Sequence, residues 1–304
     1  MAKVIEVNNL VKIYGNIKAV DDISFEVQEG EIFGMVGPNG AGKTTTIECI
    51  EGLRDPEDGQ VRVFGMDPIL DRMEIAEQIG IQLQESGLPA RLKVDEALTL
   101  FASFYKEQAN AEELLELLGL TEKRSSAFAK LSGGQKQRLF IALALINKPR
   151  VAFFDELTTG LDPQARRRMW ELVRQVRDQG TTVFLTTHYM EEAERLCDRV
   201  LIIDNGQIVA LDTPEELIDS LGVEKRLVFT VPETAETPPL EEIPLVNRVD
   251  RIGDRIVVYG QGDRFASTVV RALEDADLDF RDLRTEQPNL EDVFLSLTGR
   301  EMRE

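Results

Sequence analysis

A glycine-rich run at residues 37–44 has the composition and spacing of a loop that binds phosphate groups. It is Gly-Pro-Asn-Gly-Ala-Gly-Lys-Thr, and its glycines let backbone N–H groups point inward around an anion. In this pattern Lys43 reaches the β- and γ-phosphates, and the Thr44 hydroxyl binds Mg²⁺. The run follows the apolar segment Ile32–Val36 and precedes a segment of helical character at Thr44–Gly52. Because strand, glycine loop and helix are the context that such a loop requires, the sequence predicts a nucleotide-phosphate site.

A second candidate site lies at the end of the apolar run Val151–Phe154, which is followed by Asp155 and Glu156. An apolar strand that ends in carboxylates suits a phosphate loop, because Asp155 would hold Mg²⁺ and Glu156 would take a proton from the attacking water. Alone, an Asp-Glu pair equally fits a solvated turn. Together with the glycine loop, the pair predicts hydrolysis of a nucleoside triphosphate.

The run Leu131–Gln135, which is Leu-Ser-Gly-Gly-Gln, predicts another anion site. A serine and two glycines at a helix start leave free backbone N–H groups, and the helix dipole adds partial positive charge there. As a bare pentapeptide the run would be a simple helix N-cap. Since one nucleotide needs only one phosphate loop, a second anion site suggests that two copies of the chain share each ATP.

These motifs resemble those of the ATP-binding cassette (ABC) ATPases, and the resemblance covers residues 1 to about 220. It implies an α/β fold of the P-loop NTPase class, with a RecA-like core, an antiparallel β subdomain and a helical subdomain. It implies ATP and Mg²⁺ as cofactors and a homodimer that pairs head to tail with ATP at the interface. Lys43 and Glu156 of one copy would then face Ser132 and Gly134 of the other.

Further residues match positions that have a role in that family. Tyr14 matches the aromatic residue that stacks on adenine, and His188 matches the switch histidine that contacts the γ-phosphate. Gln84 matches the glutamine that contacts Mg²⁺ and the water and senses the transporter partner, whereas Gln82 is expected to be an ordinary strand side chain. Asp162 matches the loop that crosses the dimer interface.

The predicted site residues form three sets. The nucleotide-contacting set is Tyr14, Gly37, Pro38, Asn39, Gly40, Ala41, Gly42, Lys43, Thr44, Thr45, Ser132, Gly133, Gly134, Gln135 and Asp162. The catalytic set is Lys43, Gln84, Glu156 and His188, and the metal ligands are Thr44, Gln84 and Asp155. One position departs from the family pattern. Leu157 follows Glu156 where the family usually has proline, and a proline there would stiffen the turn through its fixed φ. No ligand is lost, so we expect hydrolysis to be retained.

The character of the chain changes near residue 221. We predict a nucleotide-binding domain at 1–220, with the helical subdomain at about 85–150, and a small α+β accessory domain at 221–304. The ending Leu290–Glu301 resembles that of the daunorubicin-resistance type of ABC exporter ATPases. That resemblance implies an ATPase subunit that works with a separately encoded permease of the ABC-2 type.

Composition limits the partners and the location. The chain has 55 acidic and 35 basic residues, and a net charge of −20 argues against binding to duplex nucleic acid. The longest apolar run, Leu139–Ile146, is far shorter than the roughly 20 residues of a membrane span. The first residues do not have the form of a signal peptide. We therefore expect a cytoplasmic protein that is held at the inner face of the cell membrane by the permease.

Two functions stay open at this stage. The first is the ATPase subunit of an ABC-2 type exporter of a drug-like or lipophilic substrate. The second is a soluble ABC ATPase that acts on ribosomes or DNA, although such proteins usually carry two cassettes or a long coiled-coil insertion. A nucleotide-binding regulator without turnover is disfavoured by Glu156 and His188.

Overall fold

The structure is a computed structural model that describes residues 2–82, 87–220, 225–232, 238–286 and 288–299. The chain divides into two compact units, the first of which extends to Pro214 and the second from Glu215 to Glu301. The predicted sites other than Gln84, which lies outside the described residues, are all in the first unit.

The first unit is built on a six-stranded sheet with the strand order β5-β6-β7-β3-β8-β9. Five of its strands are parallel, and β9 pairs antiparallel with β8. The central strands β3, β6 and β7 are buried along their whole length, as expected of parallel strands that are covered on both faces. The strands are β3 (Ile32–Val36), β5 (Ile79–Gln82), β6 (Val151–Asp155), β7 (Thr182–Thr187), β8 (Arg199–Asp204) and β9 (Gln207–Asp212).

An antiparallel sheet of β1 (Lys3–Tyr14), β2 (Ile17–Gln28) and β4 (Asp58–Val63) packs beside the parallel sheet. Phe25 of β2 stacks on Phe33 of β3, with the ring centroids 5.6 Å apart, and this contact joins the two sheets. Phe33 in turn packs on Phe184 of β7, and Phe184 packs on Phe153 of β6. The aromatic cluster therefore fixes the antiparallel sheet against the three strands that end at the predicted site.

The apolar runs Val4–Val11 and Ile23–Val27 each predict a short strand from the sequence, and β1 and β2 are longer than these runs. The β1–β2 pairing shifts register near Asn9 and Asp22, which adopt left-handed backbone conformations with φ of 49° and 59°. Each shift interrupts the regular inward and outward alternation on which the prediction rests.

Helices cover the parallel sheet and follow its strands. The sequence predicts strands at Val151–Phe154 and Thr182–Thr186 with a helix at Pro163–Asp178 between them, which implies a parallel crossover. This prediction is confirmed, because the helix lies between β6 and β7 and these strands pair in parallel. Apolar residues at helical spacing predict a helix-rich segment at residues 92–118, and the structure has two short helices there. The helices of the first unit are α1 (Lys43–Ile50), α2 (Arg72–Ala76), α3 (Val94–Ala102), α4 (Ala111–Leu117), α5 (Gly133–Ala144), α6 (Pro163–Asp178) and α7 (Met190–Leu196), and α8 (Pro214–Asp219) begins at the boundary.

The second unit contains a four-stranded antiparallel sheet with the order β11-β12-β10-β13. The helix α9 buries Phe265, Val269 and Leu273 in a cluster with Leu227 and Phe229 of β10. The sequence predicts a hairpin of Leu245–Arg251 and Arg255–Tyr259, a helix at Phe265–Leu273 and a short helix that starts at Asn289, and all three are present. The strands are β10 (Lys225–Thr230), β11 (Val246–Ile252), β12 (Arg255–Gly260) and β13 (Arg281–Glu286), and the helices are α9 (Phe265–Asp275) and α10 (Leu290–Thr298).

The last helix begins with a capping box, as the three-residue spacing of Asn289 and Asp292 predicts from the sequence. Asn289 Oδ1 accepts from the backbone N–H of Asp292, and Asp292 Oδ2 accepts from the backbone N–H of Asn289. A 2.7 Å ion pair between Arg226 and Asp292 links α10 to β10.

Gly80 of β5 allows α5 to lie close to the edge of the parallel sheet. A Cβ atom at this position would be only 1.8 Å from the carbonyl oxygen of Ala144. We expect Gly80→Ala to lower the free energy of unfolding by at least about 1–3 kcal/mol, the usual cost of overpacking, as measured by denaturant unfolding. Gly87→Ala is the matched control, because a Cβ there meets no described atom within 4 Å. Equal stability of the two variants would contradict this packing.

Candidate nucleotide site

The glycine loop is the turn between β3 and α1. Gly42 caps α1 with a φ of 106°, and a Cβ at this position would lie 2.3 Å from the carbonyl oxygen of Ala19. Only glycine tolerates both conditions. Because α1 begins at Lys43, the free backbone N–H groups of its first turn point towards the loop. The loop therefore has the donors and the helix dipole that an anion needs.

Lys43 is the buried cation of this loop, with only 4% of its surface exposed. Its Nζ donates to the carbonyl oxygens of Gly37 at 2.8 Å and Pro38 at 3.1 Å. Burial lowers the pKa of Lys43, and the negative charges of Glu156 and Asp155 act in the opposite direction. An anion in the loop would replace the carbonyl contacts of Lys43 with stronger charge-assisted hydrogen bonds.

Asp155 is the last residue of β6 and is buried. The Thr186 hydroxyl of the adjacent strand donates to Asp155 Oδ1. Burial raises the pKa of Asp155, and the charge of Glu156 adds to the rise, while the Thr186 hydrogen bond and Lys43 lower it. Thr44, at the start of α1, is exposed. A desolvated carboxylate and a hydroxyl are oxygen donors of the kind that Mg²⁺ binds, so the residues fit the predicted metal.

Glu156 and His188 lie side by side at the ends of β6 and β7. His188 Nδ1 is 3.5 Å from Glu156 Oε1, and both side chains are largely buried. Glu156 has a left-handed backbone with a φ of 48°, which costs a residue with a side chain about 1 kcal/mol or more. Its backbone N–H donates to the carbonyl oxygen of Thr186 at 3.1 Å, and this bond helps to hold the strained turn. Strain of this kind is typical of functional sites.

The structure thus brings four predicted residues together at the carboxyl edge of the parallel sheet, where open α/β sheets bind ligands. They are Lys43, Asp155, Glu156 and His188. Gln82 is the buried last residue of β5, which pairs with β6. Gln84 lies outside the described residues, so its predicted role stays a prediction.

Tyr14 ends β1 and is 40% exposed. The charged groups of Lys12 and Arg54 lie 5.5 and 5.4 Å from its ring centroid. Tyr14 pairs with Ile17 across a tight hairpin, and the β2 strand then reaches Ala19, whose carbonyl oxygen lies against Gly42. The hairpin therefore borders the glycine loop, as the predicted adenine contact requires.

The second predicted anion site forms the start of α5. Ser132 Oγ accepts from the backbone N–H of Gln135, and Gln135 Oε1 accepts from the backbone N–H of Ser132 at 2.9 Å. This is a capping box, so the alternative interpretation of the motif as a helix N-cap is also correct. Gly133 lies within the same first turn and is exposed.

Asp162 shares a cavity of about 610 Å³ with Ser132, Gly133 and Gly134. Asp162 Oδ1 accepts from the backbone N–H groups of Gln164 and Ala165 and thereby caps α6. None of the described loop residues 37–45 lines this cavity. Within one copy of the chain, the serine-glycine motif and the phosphate loop are therefore separate sites.

Sequence reasoning missed Glu192, a buried residue of α7 that lies four residues after His188. Its Oε1 accepts from Trp170 Nε1 at 3.0 Å, and it also hydrogen-bonds to Thr187, the neighbour of His188. Burial raises the pKa of Glu192, and these hydrogen bonds lower it in part. The sequence offers little signal, because Glu191-Glu192 is indistinguishable from an acidic helix surface.

A groove beside β5 contains a second buried carboxyl group that the sequence did not indicate. We call this cavity of about 500 Å³ the β5 groove, and its lining includes Glu51, Leu53, Arg72, Ala76, Ile81, Gln82, Leu88, Phe101, Tyr105, Phe140 and Leu143. Glu51 is 4% exposed, and neither of its carboxyl oxygens has a hydrogen-bond partner in the described part of the chain. Burial raises the pKa of Glu51 to about 8, and the charges of Asp155 and Glu48 add to this rise.

Comparisons with known proteins identify the family and the fold. The ABC transporter family model matches residues 20–159. A solved structure of the ATP-binding subunit of an ABC transporter has 31% identity and a TM-score of 0.65, over 72% of this chain and 93% of that one. A dimeric, post-hydrolysis ATP-binding cassette bound to ADP and Pi has 26% identity and a TM-score of 0.61, over 69% of this chain and 98% of that one. The fold is therefore that of the ABC ATPases.

Relatives match along their whole length. The Nod factor export ATP-binding protein I of Paraburkholderia xenovorans is 40% identical over 99% of this chain and 98% of that protein. The linearmycin resistance ATP-binding protein LnrL of Bacillus subtilis is 36% identical over 99% and 100%, respectively. The daunorubicin resistance ATP-binding protein DrrA3 of Streptomyces coeruleorubidus is 36% identical over 98% and 97%. The chain belongs to the ATP-binding subunits of ABC transporters, which are ATPases.

The protonation of Glu51 has a consequence for stability. The Glu51 carboxyl titrates near its ordinary pKa of 4.5 in the unfolded chain and near 8 in the folded protein. Between these values the folded state binds more protons, so the free energy of unfolding decreases as the pH rises. Glu51→Gln cannot ionise. We expect the melting temperature of Glu51→Gln to rise relative to that of the wild type between pH 5 and pH 8. A difference in melting temperature that does not depend on pH would contradict a neutral Glu51.

Proposed function

We propose that the chain is the ATPase subunit of an exporter, which hydrolyses Mg-ATP and works with a separate membrane subunit of the ABC-2 type. The observation that carries the hydrolysis is the assembly of Lys43, Asp155, Glu156 and His188 at one edge of the parallel sheet. Export is supported by relatives that are named for export or resistance and match both compact units. On this basis the substrate is drug-like or lipophilic.

We propose a role for each residue of the site. The backbone N–H groups at the start of α1 and Lys43 would bind the β- and γ-phosphates, and Tyr14 would stack on adenine. Thr44 and Asp155, with Gln84 by resemblance, would hold Mg²⁺, which neutralises phosphate charge when bound.

Glu156 and His188, at the ends of β6 and β7, would act on the attacking water and the γ-phosphate. Glu156 would accept the proton of the attacking water as the general base. His188 would contact the γ-phosphate while its Nδ1 side stays against Glu156. Preorganised donors around the transferred phosphoryl group are the main source of catalysis in this mechanism.

We further propose a head-to-tail homodimer with two ATP molecules at its interface. Lys43 and Glu156 of one copy would face Ser132 and Gly134 of the other, with Asp162 beside them. The separation of the serine-glycine cavity from the phosphate loop supports this arrangement, because a single copy leaves the cavity without a nucleotide. The dimeric neighbour bound to ADP and Pi supports it as well. ATP would close the dimer, and hydrolysis would open it.

The β5 groove of this chain is a suitable surface on which the membrane subunit would dock. Large apolar side chains are exposed on elements that line it: Leu53 after α1, Leu70 and Met73 at α2, and Leu100 and Phe104 at α3. Exposed apolar patches of this kind mark interaction sites. Among the residues that the structure describes, every helix is too short or too polar to cross a bilayer. Docking would hold the chain at the inner face of the cell membrane.

We also propose boundaries and roles for the two domains. Residues 1–220 form the nucleotide-binding domain, with the helical subdomain at about 85–150, and residues 221–304 form the accessory domain. The alternative function, a soluble ABC ATPase acting on ribosomes or DNA, is not favoured by the relatives or by the net charge of −20.

Replacement of the general base tests hydrolysis. We expect Glu156→Gln to lower the ATPase rate by about 10²–10⁴-fold, because the amide cannot take the proton. The variant should keep ATP binding and accumulate as an ATP-bound dimer, seen by size-exclusion chromatography with light scattering. Glu191→Gln is the matched control, since Glu191 is exposed and pairs with Arg195 on α7. An unchanged rate in Glu156→Gln would contradict its role.

Charge at the groove rim tests the docking surface. Met73 is 83% and Phe104 is 66% exposed, so Met73→Asp with Phe104→Asp should leave the fold intact, as circular dichroism can verify. We expect the double variant to lose association with membranes that contain the membrane subunit, measured by flotation. Ile252→Asp, at an equally exposed apolar residue of β11, is the control. Retained association of the double variant would place docking elsewhere.

A further inference from the structure

Glu51 is an incomplete polar site on the wall of the β5 groove. It directly follows α1, and its backbone N–H donates to the carbonyl oxygen of Ile47. Its side chain lines the groove, but neither carboxyl oxygen has a hydrogen-bond partner in the described ranges. Buried polar atoms nearly always have a partner in a finished interface. Within the described ranges, Glu51 is therefore open to a partner from the molecule that fills the groove.

The charges around Glu51 select the sign of that partner. The negative charges of Asp155 and Glu48 both act on Glu51. Glu48 lies one turn earlier on α1, where it pairs with Arg54. Arg72 is the cation that lines the groove, and it is exposed. Two negative charges near a buried carboxyl oppose its ionisation, and a cation brought against it would reverse that effect. The groove floor is thus complementary to a cation.

The depth and the walls of the groove select the shape of the partner. Ile81, Phe101, Tyr105 and Leu143 line the groove with apolar surface around Glu51. A long side chain with an apolar stem and a charged end can lie along such walls. The two free oxygens of Glu51 match the two parallel N–H bonds that a guanidinium donates, whereas an ammonium is a point charge.

We propose that a helix of the membrane subunit docks in the β5 groove and places an arginine against Glu51. This inference rests on the proposed function and adds the chemical identity of the contact. On docking, the Glu51 carboxyl releases its proton to water, and the resulting carboxylate accepts two hydrogen bonds from the guanidinium. A helix without this arginine would leave Glu51 unpaired, so Glu51 determines which membrane subunit is accepted.

A pair of synthetic helices tests the contact with the full-length chain. The probes are two amphipathic peptides of about 18 residues, long enough to form helix in water, that share a leucine face. One carries a central arginine, and the other carries citrulline, its uncharged isostere. We expect the arginine peptide to bind about 10–100-fold more tightly by fluorescence anisotropy, the range of a charge-assisted hydrogen bond. Equal affinities, or the absence of binding by both peptides, would overturn the proposal.

Two variants assign the preference to Glu51. Glu51→Gln should bind both peptides equally, whereas Glu48→Gln, the same change one turn earlier, should keep a preference of at least about tenfold. A preference that survives in Glu51→Gln would overturn the proposal. Equal binding of both peptides to the wild type, with weaker binding to the Met73→Asp and Phe104→Asp double variant, would reject the arginine contact and leave docking intact. Failure of the ATPase assignment appears independently, in the rate of Glu156→Gln.

Proton release provides a readout that a merely structural role of Glu51 would not change. Isothermal titration in two buffers that differ in ionisation enthalpy counts the protons that leave on binding. Near pH 7 we expect the arginine peptide to release close to one proton from the wild type and none from Glu51→Gln. Binding of the arginine peptide without proton release from the wild type would overturn the proposal.

Discussion

The site depends on the parallel pairing of β6, β7 and β3, because the polar residues of the site lie where these buried strands end. Their side chains are buried along the whole length, and the aromatic packing of Phe153, Phe184 and Phe33 holds the three strands in register. Any slip between the strands would separate Thr186 from Asp155 and remove its hydrogen bond. It would also break the backbone bond that supports the left-handed Glu156. The dry interior therefore determines the positions of the charged groups at its edge.

Burial also determines the charges that the site can hold. It lowers the pKa of Lys43 and raises that of Asp155, so both ionised forms are less favourable there than in water. The surface as a whole is strongly acidic, with a net charge of −20. Positive potential is therefore local to the loop amides and Lys43, and a bound divalent cation would add to it. A bound anionic phosphate would stabilise the buried charge of Lys43, and a bound cation would stabilise the buried charge of Asp155.

The sequence predicts the site better than it predicts the surroundings. The motif at 37–44 requires a strand before it and a helix after it, and β3 and α1 are found there because that context is local. The strands β1 and β2 are longer than predicted, since the backbone of Asn9 and Asp22 interrupts their alternation. Such bulges depend on pairing with distant residues, which a pattern along one strand does not contain.

Buried carboxyl groups are the other limit of sequence reasoning. Glu51 and Glu192 have neighbours in sequence that suggest solvated helix surfaces, namely Glu48 and Glu191. Their burial arises from tertiary packing, against the β5 groove for Glu51 and against Trp170 for Glu192. A glutamate that follows an apolar helix and precedes Gly-Leu carries no periodic signal of burial. The contacts that distinguish these residues are long-range.

In the proposed dimer, one copy of the chain completes the ATP site of another, and cysteine crosslinking between two differently tagged chains tests this arrangement. One chain carries Asn39→Cys in the phosphate loop and the other carries Ser132→Cys, both positions being exposed. Each also carries Glu156→Gln to hold ATP, and both native cysteines are buried. We expect a crosslinked product that joins the two different chains and depends on Mg-ATP. An ATP-bound species without that product, or with crosslinks only between identical chains, would contradict it.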